Sequence, residues 1–168
     1  MKIYITAMLL FPFLLFGRID TVYVQYDYHD TLFCNELTEH INDYFFQYYI
    51  YFVECEEDVE KHMNLIIKIT DCLESTENNN AEVYADENEL RHYITLCAKS
   101  PMSTRNVLHK IGHTLGWDHY YYINDKTIQI SSRYLMNVTG SATQLCPYHN
   151  QWMREQKERY FDNYKKLD

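Results

Sequence analysis

The chain has 168 residues, 46% of them hydrophobic, which is enough for the core of one domain or of two small lobes around a cleft. Its formal net charge is −9 at pH 7, and an acidic surface is a poor match for nucleic-acid phosphates. Acidic residues cluster at 54–60 and 71–77, where they are most simply interpreted as solvated loops. The composition therefore argues against a nucleic-acid partner.

Residues 1–17 have the pattern of a secretory signal peptide. Lys2 precedes a long apolar run, and the small residue Gly17 stands at the expected cleavage point. The run is short for a comfortable membrane span, although a membrane anchor is the alternative interpretation. We therefore expect cleavage after Gly17 and a secreted, extracellular protein of residues 18–168 that is not attached to a membrane.

The first half of the mature chain alternates between strand and helix patterns. Apolar residues alternate at 21–28, recur every four residues at 31–48, and form β-branched or continuous runs at 49–55 and 64–70. A polar loop is predicted at 71–80, followed by strands at 81–85 and 90–97. The continuous apolar run at 64–70 is typical of an interior parallel strand. This order predicts a mixed α/β (α+β) fold with a mostly parallel sheet backed by helices.

The second half begins with a helix and ends with one. Ser103 or Thr104 is expected to cap a helix whose buried stripe consists of Leu108, Ile111 and Leu115. A loop with a short apolar stretch is predicted from 117 to 134. A single C-terminal helix is then predicted from about residue 144 to 164.

Five cysteines in a secreted chain suggest two disulfides and one remaining thiol, and the pairing is open at this point. The candidates are Cys34, Cys55, Cys72, Cys97 and Cys146. The segment from Cys146 to His149 has the spacing of a metal-ligand pair but has no second pair in the chain, so we interpret it as structural.

Three histidines with metal-ligand spacing form the most informative segment of the sequence. His109 and His113 are four residues apart, so a helix places both imidazoles on one face. Gly116 accepts positive φ and can end the helix, and the returning chain can bring His119 to the same point. Three imidazoles with one open position are typical of catalytic zinc.

Lys110 occupies the position where zinc proteases of this kind carry a glutamate. That glutamate takes a proton from the attacking water and passes it to the leaving amine, which a charged lysine cannot do. Because a cation beside a dication is repelled, we expect Lys110 to swing away or to lose its proton. The segment thus predicts a metal site and argues against its usual chemistry.

The pattern H-x-x-G-H-x-L-G-x-x-H, followed by Leu135-Met136-Asn137, resembles the metzincin zinc endopeptidases, over roughly residues 107–146. The resemblance implies that Met136 lies in a tight turn beneath the histidines, and that a lobe of 18–116 and a smaller lobe of 117–168 form a single domain. Among the branches, the chain is most similar to the secreted adamalysin or reprolysin type of venom and saliva. That similarity implies a disulfide between Cys97 and Cys146.

Three functions are compatible with these residues. The first is a secreted, zinc-binding pseudoprotease that binds an extended peptide or protein target in its cleft without cutting it. The second is an active secreted metalloendopeptidase with a substitute base, whose peptide substrate adds to the sheet edge near 81–85. The third is an interaction module without metal. The sequon at Asn137 overlaps the expected methionine turn, so we expect it to be unglycosylated.

Overall fold

The computed structural model describes residues 18–70, 83–86, 91–97, 104–123, 126–137 and 142–165. The side chains of residues 83–86, 97, 104 and 122–123 are outside this description. The predicted signal peptide, the polar loop at 71–80, the first residues of the strand at 81–85 and the cap at Ser103 also lie outside the described residues.

The larger sheet has five strands, arranged in the order β2-β1-β3-β5-β4. Four of them run parallel, and β4 pairs with β5 in the antiparallel direction at one edge. The strands are β1 Asp20–Asp27, β2 Ile50–Glu54, β3 Met63–Thr70, β4 Val83–Asp86 and β5 Arg91–Cys97. The predicted mixed α/β class with a mostly parallel sheet is therefore confirmed.

The strand patterns explain the positions in the sheet. In β1, Val22 and Val24 are fully buried and alternate with partly exposed residues, whereas the central strand β3 buries most of its length. A strand with neighbours on both edges and cover on both faces needs continuous apolar residues, which is the pattern of β3.

Helix α1, Thr31–Phe45, begins at Asp30, whose carboxylate accepts a hydrogen bond from the backbone N–H of Phe33 at 3.1 Å. Its buried face includes Ile41 and Phe45. The Asn42 side chain donates to the carbonyl of Phe52 at 2.9 Å and accepts from its N–H at 2.7 Å. This pair of bonds attaches the helix to β2, the terminal strand of the sheet.

His109 and His113 lie on helix α2, Thr104–Thr114, which contacts α1, β4 and β5. The expectation of a loop at 117–134 is wrong. The chain there forms a hairpin of two strands, β6, Tyr120–Ile123, and β7, Lys126–Gln129. Strands of four residues without apolar alternation give too little periodicity for the sequence to reveal them.

The expected single C-terminal helix is also corrected, to two helices. Helix α3 is Pro147–Glu155 and helix α4 is Lys157–Lys165, separated by Gln156 with φ of −119°. Pro147 is at the first position of α3, where a proline loses no helical hydrogen bond, so the helix starts later than the predicted residue 144. None of the helices among the described residues combines the length and hydrophobicity needed to cross a bilayer.

The cysteine expectations are corrected as well. Cys34, Cys55 and Cys146 are free thiols. With three of the five cysteines free, the expected two disulfides cannot both form. The Cys97–Cys146 bond implied by the resemblance is absent, because Cys146 is a free thiol, and its sulfur lies 3.4 Å from Nδ1 of His149, one turn along the same segment. Both residues are buried, and the His149 ring stacks on Trp117 with a centroid distance of 5.1 Å.

Candidate metal centre

The apolar stripe of helix α2 sets the orientation of its histidines. Leu108, Ile111 and Leu115 are each no more than 1% exposed, as the sequence predicts. With that stripe turned into the core, His109 and His113 lie together on an adjacent face, one turn apart. His109 is 6% exposed and His113 is half-buried.

The helix ends in a way that reverses the chain toward its own histidines. Gly116 has φ of +80°, and its N–H donates to the carbonyl of His113 at 2.9 Å. The N–H of Trp117 donates to the carbonyl of Gly112 at 3.0 Å. This pair of bonds is the Schellman motif, which requires a left-handed residue at the position of Gly116. The turn brings His119 back beside the helix.

The three predicted ligands meet at their Nε2 atoms. The distance is 3.2 Å between His109 and His113, 3.0 Å between His109 and His119, and 3.0 Å between His113 and His119. Zinc-binding nitrogens at about 2.0–2.1 Å from a tetrahedral ion lie roughly 3.3–3.4 Å apart. The three histidines are therefore close enough to hold one metal ion.

Backbone carbonyls orient two of the rings. Nδ1 of His109 lies 2.7 Å from the carbonyl of Leu135, and Nδ1 of His113 lies 2.8 Å from the carbonyl of Trp117. Because a carbonyl only accepts, each Nδ1 carries the proton and each Nε2 presents a lone pair. Second-layer partners of this kind are usual for metal-binding histidines.

Burial keeps these imidazoles neutral. Desolvation lowers the pKa of His109 to about 4, and it also lowers the pKa values of His113 and His119. Neutral rings with their Nδ1 atoms protonated cannot hydrogen-bond to one another through Nε2. The lone pairs of His109 and His113 are thus directed at each other without a donor between them, which a cation would resolve.

Met136 supports the helix from below. The chain makes a tight turn in which the N–H of Asn137 donates to the carbonyl of Tyr134 at 3.2 Å, and Met136 is fully buried within it. A Cβ added to Gly112 would lie 2.5 Å from Sδ of Met136 and 2.8 Å from Cε3 of Trp117. The methionine therefore packs directly against the backbone of α2 beside His113.

Arg105 is a site residue that the sequence reasoning missed. Its guanidinium donates to the carbonyl of Leu135 at 3.1 Å and also to the carbonyl of Asn137. The Leu135 carbonyl also accepts from His109, so one oxygen joins the turn, the arginine and a histidine. The only sequence signal was that Arg105 precedes His109 by one helical turn.

Lys110 remains near the histidines. Its charge lowers the pKa values of His113 and His119, in addition to the larger effect of burial. Lys110 is half-buried, and burial lowers its own pKa. That Lys110 swings away from a bound metal ion or loses its proton stays a prediction, and the lowered pKa is in the direction that favours the loss of the proton.

Asp118 is the carboxylate that directly precedes the third histidine. It is exposed, and its Oδ1 accepts a hydrogen bond from the N–H of His119 at 2.5 Å. Its negative charge partly offsets the lowering of the pKa values of His113 and His119 by burial. The carboxylate is thus engaged by the backbone of the third histidine.

Aromatic residues border the third histidine. Tyr120 follows His119 and is 41% exposed, and Tyr121 stacks on Tyr148 with an interplanar angle of 18° and a centroid distance of 5.6 Å. The hairpin therefore begins with aromatic residues directly after the third histidine.

Neither a family model nor a curated protein matches this chain. The chemical interpretation of the site thus depends on its geometry.

Proposed function

We propose that this protein is a secreted, zinc-binding pseudoprotease of metzincin type, which binds an extended peptide or protein target without hydrolysing it at an appreciable rate. The observation that carries the proposal is the meeting of three Nε2 atoms within 3.0–3.2 Å, with Lys110 next to the first ligand in the helix. The histidines provide the metal site, and the lysine replaces the base.

Several features support the metzincin resemblance without depending on the histidine spacing. The larger sheet ends in one antiparallel strand, β4, and helix α2 contacts that strand. The left-handed Gly116 turns the chain after the helix, and Met136 packs beneath it. Zinc is the metal best suited to a site of three imidazoles with an open position.

The residues around the site do not provide an efficient general base. A bound zinc ion would polarise a carbonyl group of the target. Lys110 in its ammonium form has no lone pair with which to accept a proton, and Asp118 accepts a hydrogen bond from the backbone of His119. Loss of a general base typically costs about two to four powers of ten in rate.

The sheet offers a place for an extended target. Strand β4 is the last strand in the sheet order and pairs with β5 on one side. An extended peptide can add to such an edge through backbone hydrogen bonds, with side chains entering neighbouring pockets. We propose that the target lies along β4, next to the helix that carries His109 and His113.

The metal content of the purified protein is the first test. We expect about one equivalent of zinc at neutral pH, by elemental analysis. Less than about a tenth of an equivalent after incubation with excess zinc would instead favour the interaction module without metal.

The second test compares the natural chain with a Lys110→Glu variant in cleavage of a denatured protein substrate, with and without a chelator. We expect the variant to be at least about 100-fold faster, and its activity to be lost with the chelator. The exposed Lys126→Glu variant is the matched control and should resemble the natural chain. Chelator-sensitive cleavage by the natural chain at the rate of Lys110→Glu would establish the active endopeptidase instead.

A further inference from the structure

Lys110 has no counter-ion among the residues that the structure describes. Its ammonium makes no hydrogen bond or ion pair with them, although it is half-buried. A cation held partly out of water without a partner is unfavourable unless an anion compensates it. Within the described residues, its ammonium donors therefore have no partner.

The other charges near the site are already engaged. Arg105 donates to the carbonyls of Leu135 and Asn137, and Asp118 accepts from the N–H of His119. Lys110 is thus the one charged group near the histidines that lacks a hydrogen bond, within the described part of the chain. Zinc would add two positive charges at the open side of the same three rings.

We propose that the open side of the three-histidine site binds a carboxylate of the target, with one oxygen toward the zinc and the other toward the ammonium of Lys110. This inference rests on the proposed zinc binding and specifies the chemistry of the target. The positive charge of Lys110, next to the first ligand, would add to that of the metal ion and so favour an anion at this opening.

A carboxylate fits this arrangement better than a phosphate. One available ammonium matches a singly charged group, whereas a phosphate dianion would call for further donors such as an arginine. The exposed Tyr120 directly follows His119 in the chain, and the next residue, Tyr121, stacks on Tyr148. The ligand is therefore either the C-terminal carboxylate of a peptide or an aspartate or glutamate side chain, next to apolar residues.

The experiment uses the zinc-loaded full mature chain and three short apolar peptides of one length. The first has a free C-terminal carboxylate, the second is its C-terminal amide, and the third is an amide that contains one glutamate. Calorimetry gives their dissociation constants, and the visible spectrum of the cobalt-loaded protein reports whether the probe reaches the metal. The variants are Lys110→Gln and Lys110→Arg, with Lys68→Gln as the control, since Lys68 is 57% exposed on β3.

We expect the natural chain to bind at least one carboxylate peptide about tenfold or more tightly than the plain amide, and to lose that preference in Lys110→Gln. Lys110→Arg and Lys68→Gln should keep the preference. Zinc affinity in Lys110→Gln should be equal or higher, because a repelling charge has been removed. Which of the two carboxylate peptides binds identifies the source of the group.

Two results would overturn the inference while leaving zinc binding intact. One is equal binding of acid and amide by the natural chain, which needs no variant and so does not depend on a variant folding. The other is an unchanged acid preference in a folded, zinc-loaded Lys110→Gln protein. Failure of the natural chain to take up zinc would instead remove the proposed function itself.

Discussion

Two buried polar clusters in this molecule differ in what they leave unpaired. The first joins the start of β1 to helix α4 through Asp20, whose side chain is 2% exposed and lies 3.1 Å from the ammonium of Lys157 and 2.6 Å from the guanidinium of Arg18. The second is formed by the Nε2 atoms of the three histidines, which lie 3.0–3.2 Å apart.

The first cluster compensates its charges within the chain. Lys157 also donates to the carbonyls of Arg18 and Tyr49, although the contacts to Asp20 are ion pairs without good hydrogen-bond angles. In the histidine cluster, the Nε2 lone pairs of His109 and His113 face each other at 3.2 Å without a donor between them. A cluster whose charges are paired within the chain stabilises the fold. A cluster in which lone pairs face each other needs a ligand, such as a cation, that can accept those lone pairs.

The largest effect on stability is expected from breaking the first cluster. Lys157→Met should lower the free energy of unfolding by about 3 kcal/mol. This is the lower end of the range that is usual when one partner of a buried ion pair is removed, because Arg18 remains beside Asp20. Denaturant unfolding of the metal-free protein measures this loss. Zinc affinity should be unchanged, and Lys126→Met, at an exposed position, should unfold like the natural chain. A loss of zinc affinity in Lys157→Met would contradict the separation of the two clusters.

The converse experiment breaks the second cluster. His113→Ala should weaken zinc binding by at least about 100-fold, or about 2.7 kcal/mol, since loss of a second-layer partner alone costs 10–100-fold. Competition with a coloured chelator measures the affinity. The metal-free variant should lose no more than about 1–2 kcal/mol of stability, because the deleted ring makes one hydrogen bond to the backbone, at the carbonyl of Trp117. If the metal-free variant unfolded several kcal/mol more easily, the cluster would be part of the structural core.

A smaller effect should follow from crowding the helix against the methionine turn. Gly112→Ala places a methyl group against Met136 and Trp117, which should cost about 1–3 kcal/mol and lower zinc affinity by moving the ligands. Thermal unfolding and chelator competition measure the two effects. The double variant Gly112→Ala with Met136→Ala should recover part of the zinc affinity. Gly116→Ala is the contrast, because it has open space and is strained only by its positive φ.

A further expected effect is a pH dependence outside both clusters. Burial lowers the pKa of His92 to about 4, and its Nε2 lies 2.6 Å from the hydroxyl of Tyr164. The unfolded chain binds this proton near pH 6.5 and the folded chain only near pH 4, so stability is lost as the pH falls between these values. Melting temperatures from pH 7 to 4 should fall less steeply in His92→Gln. The exposed His29→Gln variant should retain the natural slope.

More of the site than of the surrounding fold could be predicted from the sequence. Spacing within one helix fixes the face shared by His109 and His113, and a rare glycine marks the left-handed turn at Gly116. These are local effects and can therefore be predicted. The central position of β3 could also be predicted, because burial on two faces demands a continuous apolar run.

Long-range contacts explain what the sequence did not reveal. Arg105 acts through carbonyls 30 and 32 residues away, and no local pattern marks it. The separation of α3 from α4 coincides with the burial of Lys157 among oxygens near the start of β1, which a charged residue in a helical pattern does not suggest. Pairing of cysteines likewise depends on three-dimensional distances rather than on their number.

Asn137 lies in the turn beneath the histidines and is also a possible site of glycosylation during synthesis of the chain. Its side chain is 6% exposed and its amide donates to the carbonyl of Ile130, yet it is the acceptor residue of the glycosylation sequon. On the proposed secretory route, a glycan can reach this nitrogen only before the turn closes. The fraction of molecules carrying sugar at Asn137, read by mass spectrometry of protein expressed through that route, would therefore report how quickly this region folds relative to glycan transfer. We expect that fraction to be close to zero.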